Sequence, residues 1–117
     1  MDDLKHELRQ FTGSERFFRH SLFRRFAYTE GVQFLAERAG AYWLLDYIFG
    51  HQPLNSLIEQ PFQVWIIRVR EDKSADISVE DGNDNLLHSF KLDFTTFPME
   101  EFSLWFIEGT LLLPSEY

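Results

Sequence analysis

No cysteine occurs in the 117 residues. Disulfides, thiolate metal sites and a cysteine nucleophile are therefore excluded. Glycine is sparse, six in all and scattered singly. No Walker A loop, dinucleotide fingerprint or nucleophile elbow is present. Long apolar runs are also missing. The most apolar window, 39–49, is broken by Asp46 and falls well short of the roughly 20 residues a membrane helix needs. The opening "MDDLKHELRQ" is charged, unlike a secretory leader. These absences predict a soluble, cytoplasmic chain with no membrane partner. Positive charge is scarce as well: eleven Lys and Arg face nineteen Asp and Glu, a net charge of −8. Such a chain repels phosphate backbones, so nucleic acid is a disfavoured partner and at most weakly bound.

Aromatic side chains are what the sequence has in quantity. They make up 17% of the chain, thirteen of them Phe, enough to offset the ordering entropy of one domain spanning residues 1–117. The charge is unevenly spread. Residues 1–40 carry seven cations and six carboxylates, whereas residues 41–117 carry four and thirteen. Most of the cations of the first part fall in "RFFRHSLFRRFAYT", Arg16 to Thr29, where Arg16, Arg19, His20, Arg24 and Arg25 alternate with Phe17, Phe18, Phe23, Phe26 and Tyr28.

The apolar spacing of Leu4, Leu8 and Phe11 predicts a first helix, capped by Asp2 or Asp3 and ended by Thr12-Gly13. The basic–aromatic stretch reads as one or two short extended segments around Ser21-Leu22. Thr29 is placed as an N-cap with Glu30 in the first turn. Val32, Leu35, Ala36 and Ala39 form the stripe of the next helix, which either ends at Gly40 or runs through it. "AYWLLDYIFGHQ" is apolar nearly all round and predicts a buried helix stopped by Gly50 and Pro53. Beyond Pro61 the period shifts to two. "FQVWIIRVR", "ADISVE" and "LLHSFKLDF" read as strands, "DGNDN" as a turn, and "FSLWFIEGTLLLP" as a hairpin around Glu108-Gly109. The expected fold is α+β. A mainly helical part, 1–60, packs on one face of an antiparallel β-meander, 61–117. Trp43, Leu44 or Leu45, Ile48, Val64, Ile66 and Phe90 are the expected core.

Three segments, "YTEGVQFLAERAGAYWLLDYIFGHQ", "VEDGNDN" and "GTLLLPSEY", together resemble an uncharacterised bacterial family, a domain of unknown function also met on plasmids and other mobile elements. The resemblance spans the chain from "FTGSERFFRH" to the C-terminus. It implies a small single-domain protein and carries no activity, cofactor or site residues.

Signals for chemistry are few. Asp81, Asn83 and Asn85 match the first positions of an EF-hand loop, but Leu86 and Leu92 stand where the motif requires Gly and Glu, so a hairpin turn is the better account. His6, His20, His51 and His88 show no metal-ligand spacing, and neither a metal nor another cofactor is expected. Asp46 lies among Trp43, Leu44, Leu45, Tyr47 and Ile48 and must be paired or at a rim, with Arg19, Arg24 or Arg25 as the expected partner. The leading expectation is a non-catalytic module that binds another macromolecule, most simply a protein. Arg19, Arg24, Arg25, Phe23 and Phe26 are its candidate binding residues. Association with a second copy stays open. The alternatives are an enzyme with a small helix–sheet pocket, using Asp46 with an Arg or His, and a weak nucleic-acid binder. Whether Arg16–Thr29 is an exposed patch or part of the core is left to the structure.

Overall fold

The computed structural model describes residues 2–13 and 16–117, with side chains at all of these except 2, 3, 55 and 56. Helix α1 covers Asp2–Leu8 and buries Leu4 and Leu8, one turn apart. It stops before Thr12-Gly13, unwinding through turn bonds from Arg9, Gln10 and Phe11 to the carbonyls three residues earlier. The cap expected at Asp2 or Asp3 lies outside the described side chains.

Helix α2, Glu30–Ala39, starts where its cap predicts. Thr29 is extended at φ −81°, ψ 170°, and its hydroxyl accepts from the Val32 N–H at 3.2 Å. Val32, Leu35 and Ala36 are fully buried. Gly40 ends the helix in the left-handed conformation at φ 61°, which costs glycine no side-chain clash. Helix α3, Tyr42–Gly50, buries Leu44, Leu45, Ile48 and Phe49.

Among the described residues the strands are β1 (Phe17–Arg19), β2 (Ala27–Thr29), β3 (Phe62–Val69), β4 (Ala75–Asp81), β5 (Leu86–Leu92), β6 (Glu101–Ile107) and β7 (Thr110–Leu112). They form one sheet in the order β1-β2-β7-β6-β3-β4-β5. The α+β class holds and the strands of 61–117 pair antiparallel, but the sheet as a whole is not purely antiparallel. The sheet is mixed, because β2 runs parallel to β7 with Ala27 opposite Thr110 and Tyr28 opposite Leu111. Strands β1 and β2 come from the part of the chain expected to be mainly helical. The return from β2 to β7 passes through α2, α3 and β3 to β6, so no local signal announces the pairing.

The inward face of β3 also differs from expectation. Gln63, Trp65 and Ile67 are buried, while Phe62 and Val64 are only half-buried and Ile66 is covered from the opposite face. Their partners Ile77, Val79, Leu104 and Phe106 are buried with them. Helix α3 lies against this face. The rings of Phe49 and Phe106 are 5.7 Å apart, those of Tyr47 and Phe90 5.9 Å. Of the expected core, Leu44, Leu45, Ile48 and Ile66 are buried, and Trp43, Val64 and Phe90 half-buried.

A polar residue sets the strand's parity. Gln63 is fully buried and exchanges amide bonds with Gln52, at 3.0 and 2.8 Å. Gln63 also donates to the Leu57 carbonyl at 2.7 Å and accepts from the Trp65 indole N–H at 2.8 Å, while Gln52 donates to the Ile48 carbonyl at 3.0 Å. Buried amides are tolerated only when bonded in this way. The network joins α3, the short 3-10 turn Leu54–Glu59 and β3.

The turns follow their residues. Glu108 and Gly109, at φ 48° and 88°, make a two-residue turn between β6 and β7, the doubly left-handed kind that matches strand twist. Between β4 and β5, the Asp81 carboxylate accepts from the Asn83 and Asn85 backbone N–H groups and from the Asn85 side chain. The Asn85 side-chain bond first, with the backbone bonds behind it, holds the Asp81 carboxyl below its ordinary value.

The face assignment is directly testable. Trp65→Ala should destabilise the fold by about 3–5 kcal/mol, as large core truncations do. Val64→Ala, on the half-exposed face, should cost about 1 kcal/mol or less. Equal shifts of the denaturant midpoint for the two variants would contradict the register.

Candidate interaction site: the β1–β2 hairpin

The basic–aromatic stretch forms a hairpin at one edge of the sheet. Phe17, Phe18 and Arg19 pair with Thr29, Tyr28 and Ala27. The loop between them is closed by bonds from His20 N–H to the Phe26 carbonyl, 3.1 Å, and from Phe26 N–H to the Phe23 carbonyl, 2.9 Å. The two loop rings, Phe23 and Phe26, turn inward. Phe26 is only 5% exposed and meets Phe49 at 5.3 Å and Phe106 at 5.4 Å. Phe23 is half-buried beside Phe49 and His20. Phe18 stacks on Tyr28 at 5.7 Å.

His20 holds the loop in shape. Its Nδ1 accepts the backbone N–H groups of Leu22 and Phe23 at 3.1 and 3.0 Å, and its Nε2 lies 2.6 Å from Asp46 Oδ1. An Nδ1 that accepts two bonds carries no proton, so the ring is the neutral tautomer donating Nε2–H to Asp46. The expected arginine partner of Asp46 is thus corrected: the partner is His20. The Asp46 side chain is 61% exposed. It resolves its apolar setting by standing at a rim. Both imidazole nitrogens are engaged within the fold, and Asp46 meets the ring through Oδ1.

The arginines point outward. Arg19 donates to the Arg24 carbonyl. Arg25 lies over the Phe26 ring at 5.6 Å and Arg16 over Phe18 at 5.3 Å. Arg16, Arg19, Arg24 and Arg25 are exposed. Among the described residues none forms an ion pair with a carboxylate. The arginine–carboxylate pairs are instead Arg38–Glu7, Arg68–Glu101 and Arg70–Asp76. Between these cations, Phe17 is 58% exposed and Leu22 75%. The stretch therefore belongs to core and surface at once. Phe23 and Phe26 anchor it, while Arg19, Arg24 and Arg25 face water with Phe17 and Leu22.

The base of this hairpin is fixed from the far end of the chain. Glu116 is buried, and its carboxylate accepts from the Thr29 hydroxyl at 2.6 Å, the Leu113 N–H at 2.9 Å and the Gly31 N–H at 3.3 Å. A Cβ on Gly31 would lie 2.7 Å from that carboxylate, so the close approach requires glycine. "YTEG" and "LLPSEY", from two of the segments that carry the family resemblance, are thereby one structural unit. The chain belongs to DUF6876, a family of unknown function, whose model matches residues 2–117. No curated protein and no solved structure matches it.

Elsewhere this DUF6876 chain offers less. A cleft of about 510 Å³ is lined by Val69, Arg70, Glu71, Lys73, Phe97, Pro98, Met99 and Glu100. Its cations are matched by carboxylates, and Arg70 is engaged by Asp76 and Ser74. A cleft of about 220 Å³ lies between Lys5, Arg9 and Ser115, and one of about 260 Å³ between Trp43 and Phe94. Neither His20 nor Asp46 lines any of the three. No group of three or more His, Asp or Glu with metal-binding geometry occurs among the described residues. No helix among them is long and apolar enough to cross a membrane.

Sequence reasoning overlooked Gln52, Gln63 and Glu116. Gln63 left a trace, a polar residue interrupting an otherwise apolar strand. Glu116, next to the C-terminal residue, left none.

The His20 geometry predicts unequal effects. His20→Ala removes the acceptor of two backbone N–H groups and should cost about 1–3 kcal/mol. Asp46→Ala removes an exposed partner and should cost about 0–1 kcal/mol. Denaturant unfolding of both variants checks this, and a larger loss for Asp46→Ala would contradict it.

Proposed function

We propose that this chain is a non-catalytic module that binds another protein through the β1–β2 hairpin, and that the partner presents an acidic surface. One observation carries the reading. Among the described residues, Arg16, Arg19, Arg24 and Arg25 are exposed without carboxylate partners, in a chain of net charge −8 most of whose acids lie in residues 41–117. Four exposed cations around exposed Phe17 and Leu22 combine the charge and apolar contact typical of interface hot spots. Single-stranded nucleic acid fits less well. Stacking needs several rings that face solvent, whereas Phe23 and Phe26 are turned into the core and Phe17 is the strongly exposed ring of this stretch. The absence of cysteine, and of a membrane-crossing helix among the described residues, suits a cytoplasmic setting.

The test compares the native chain with a variant carrying Arg24→Ser and Arg25→Ser, each used as bait in host-cell extract. The variant should unfold within about 0.5 kcal/mol of the native chain, as for other surface changes. A partner recovered by the native bait should carry an acidic patch, be released by moderate salt, and bind the variant at least about tenfold more weakly. Equal recovery by both baits contradicts the proposal, and recovery of nucleic acid in place of protein replaces it.

A further inference from the structure

The sheet's other edge points to a second surface, independent of the hairpin reading. Strand β5 is the last in the sheet order, opposite β1. Edge strands expose unpaired N–H and C=O groups, and proteins blunt them by shortness, charge, proline, bulges or a covering segment. The β1 edge has two of these protections. It is three residues long and ends in Arg19. Strand β5 has seven residues, "LLHSFKL", with no proline and one charge, Lys91. Its one irregularity is a register shift at its N-terminal end, opposite Val79/Glu80. Among the described residues nothing pairs with its outer side. Two strongly exposed apolar side chains stand at its ends, Leu86, its first residue, at 61% and Phe94, just beyond its last, at 67%.

We propose that two copies of this chain pair edge to edge through β5, antiparallel about a two-fold axis, so that the sheet continues from one copy into the next. The edge demands an extended backbone, and the chain supplies one with the right self-complementarity. Antiparallel pairing brings the Leu86 end of one strand to the Leu92–Phe94 end of the other, twice, covering both exposed apolar groups. Charge selects the same place. Two bodies of net charge −8 repel and can meet only where carboxylates are few. Strand β5 has none, and Asp93 is the one carboxylate between Leu86 and Phe94, within a half of the chain that holds thirteen. Across the sheet, Glu101, Arg68, Asp76 and Lys91 occupy consecutive paired positions of alternating sign, so Lys91 already has a carboxylate-bearing neighbour on its own sheet. It faces a second Lys91 only if the axis passes through residue 91.

Sedimentation of the full chain at about 100 µM should show a dimer, a concentration that half-forms even a complex with a dissociation constant of that order. Leu86→Lys together with Phe94→Lys should give a monomer. Both side chains are exposed, so the unfolding midpoint should stay near that of the native chain and serve as the folding control. Ser89→Cys, at the middle of β5, introduces the chain's sole thiol, and a short bismaleimide should cross-link it into dimers. The same reagent on Glu37→Cys, on exposed α2 surface, should not. A native monomer would leave the edge to a different extended partner and overturn the proposal. A dimer that survives both lysines, or equal cross-linking at residues 37 and 89, also overturns it.

Discussion

The buried carboxylate of Glu116 ties together parts of this molecule 87 and 85 residues apart in sequence. It accepts bonds from Thr29, Gly31 and Leu113. It therefore sits at the N-terminus of α2, where free backbone N–H groups and the helix dipole favour negative charge. Thr29 serves twice, capping Val32 N–H through its oxygen and donating its proton to Glu116. This arrangement accompanies the single parallel pairing of the sheet, β2 with β7. Parallel strands must be brought together across long sequence separations, and here the end of β2 and the residue after β7 are bonded to one side chain.

The outward arginines depend on that anchorage. Strand β1 has three residues and touches the sheet only through β2. With β2 held by β7 and by Glu116, and the loop held by His20 and the inward rings of Phe23 and Phe26, Arg16, Arg19, Arg24 and Arg25 project from a fixed frame. Preorganisation of this kind lowers the entropic cost of engaging a partner. The same frame explains why an aromatic-rich segment need not be a stacking platform. Its rings support the cations from below, as the positions of Arg25 over Phe26 and Arg16 over Phe18 show.

Local features were legible in the sequence. The Thr29 cap, the end of α3 at Gly50 and the Glu108-Gly109 and Asp81–Asn85 turns all depend on residues within one or two turns of each other, and each lies where its residues place it, while the stop at Gly40 decides between the two readings its sequence left open. Features set by distant partners were not legible. In β3, Val64 and Ile66 or Trp65 and Ile67 could each face inward on apolarity alone. The decision falls to Gln63, whose burial is acceptable only because Gln52, Leu57 and Trp65 satisfy it. Asp46 shows the intermediate case. Its need for a partner or a rim was readable from its apolar neighbours, and it has both. The partner's identity required knowing that the β1–β2 loop folds over α3 and presents His20 in place of an arginine.

Residue-resolved hydrogen exchange of the native chain and Glu116→Gln tests the central claim most directly. The amide keeps the size of the side chain but removes its charge and one acceptor. The account predicts a loss of about 1–3 kcal/mol, the scale for a buried hydrogen-bond network left unsatisfied. Protection should fall first in β1, β2 and the first turn of α2, while the β3–β4 and β3–β6 pairs keep theirs. Unchanged exchange in β1 and β2, with any effect confined to residues 113–117, would contradict it.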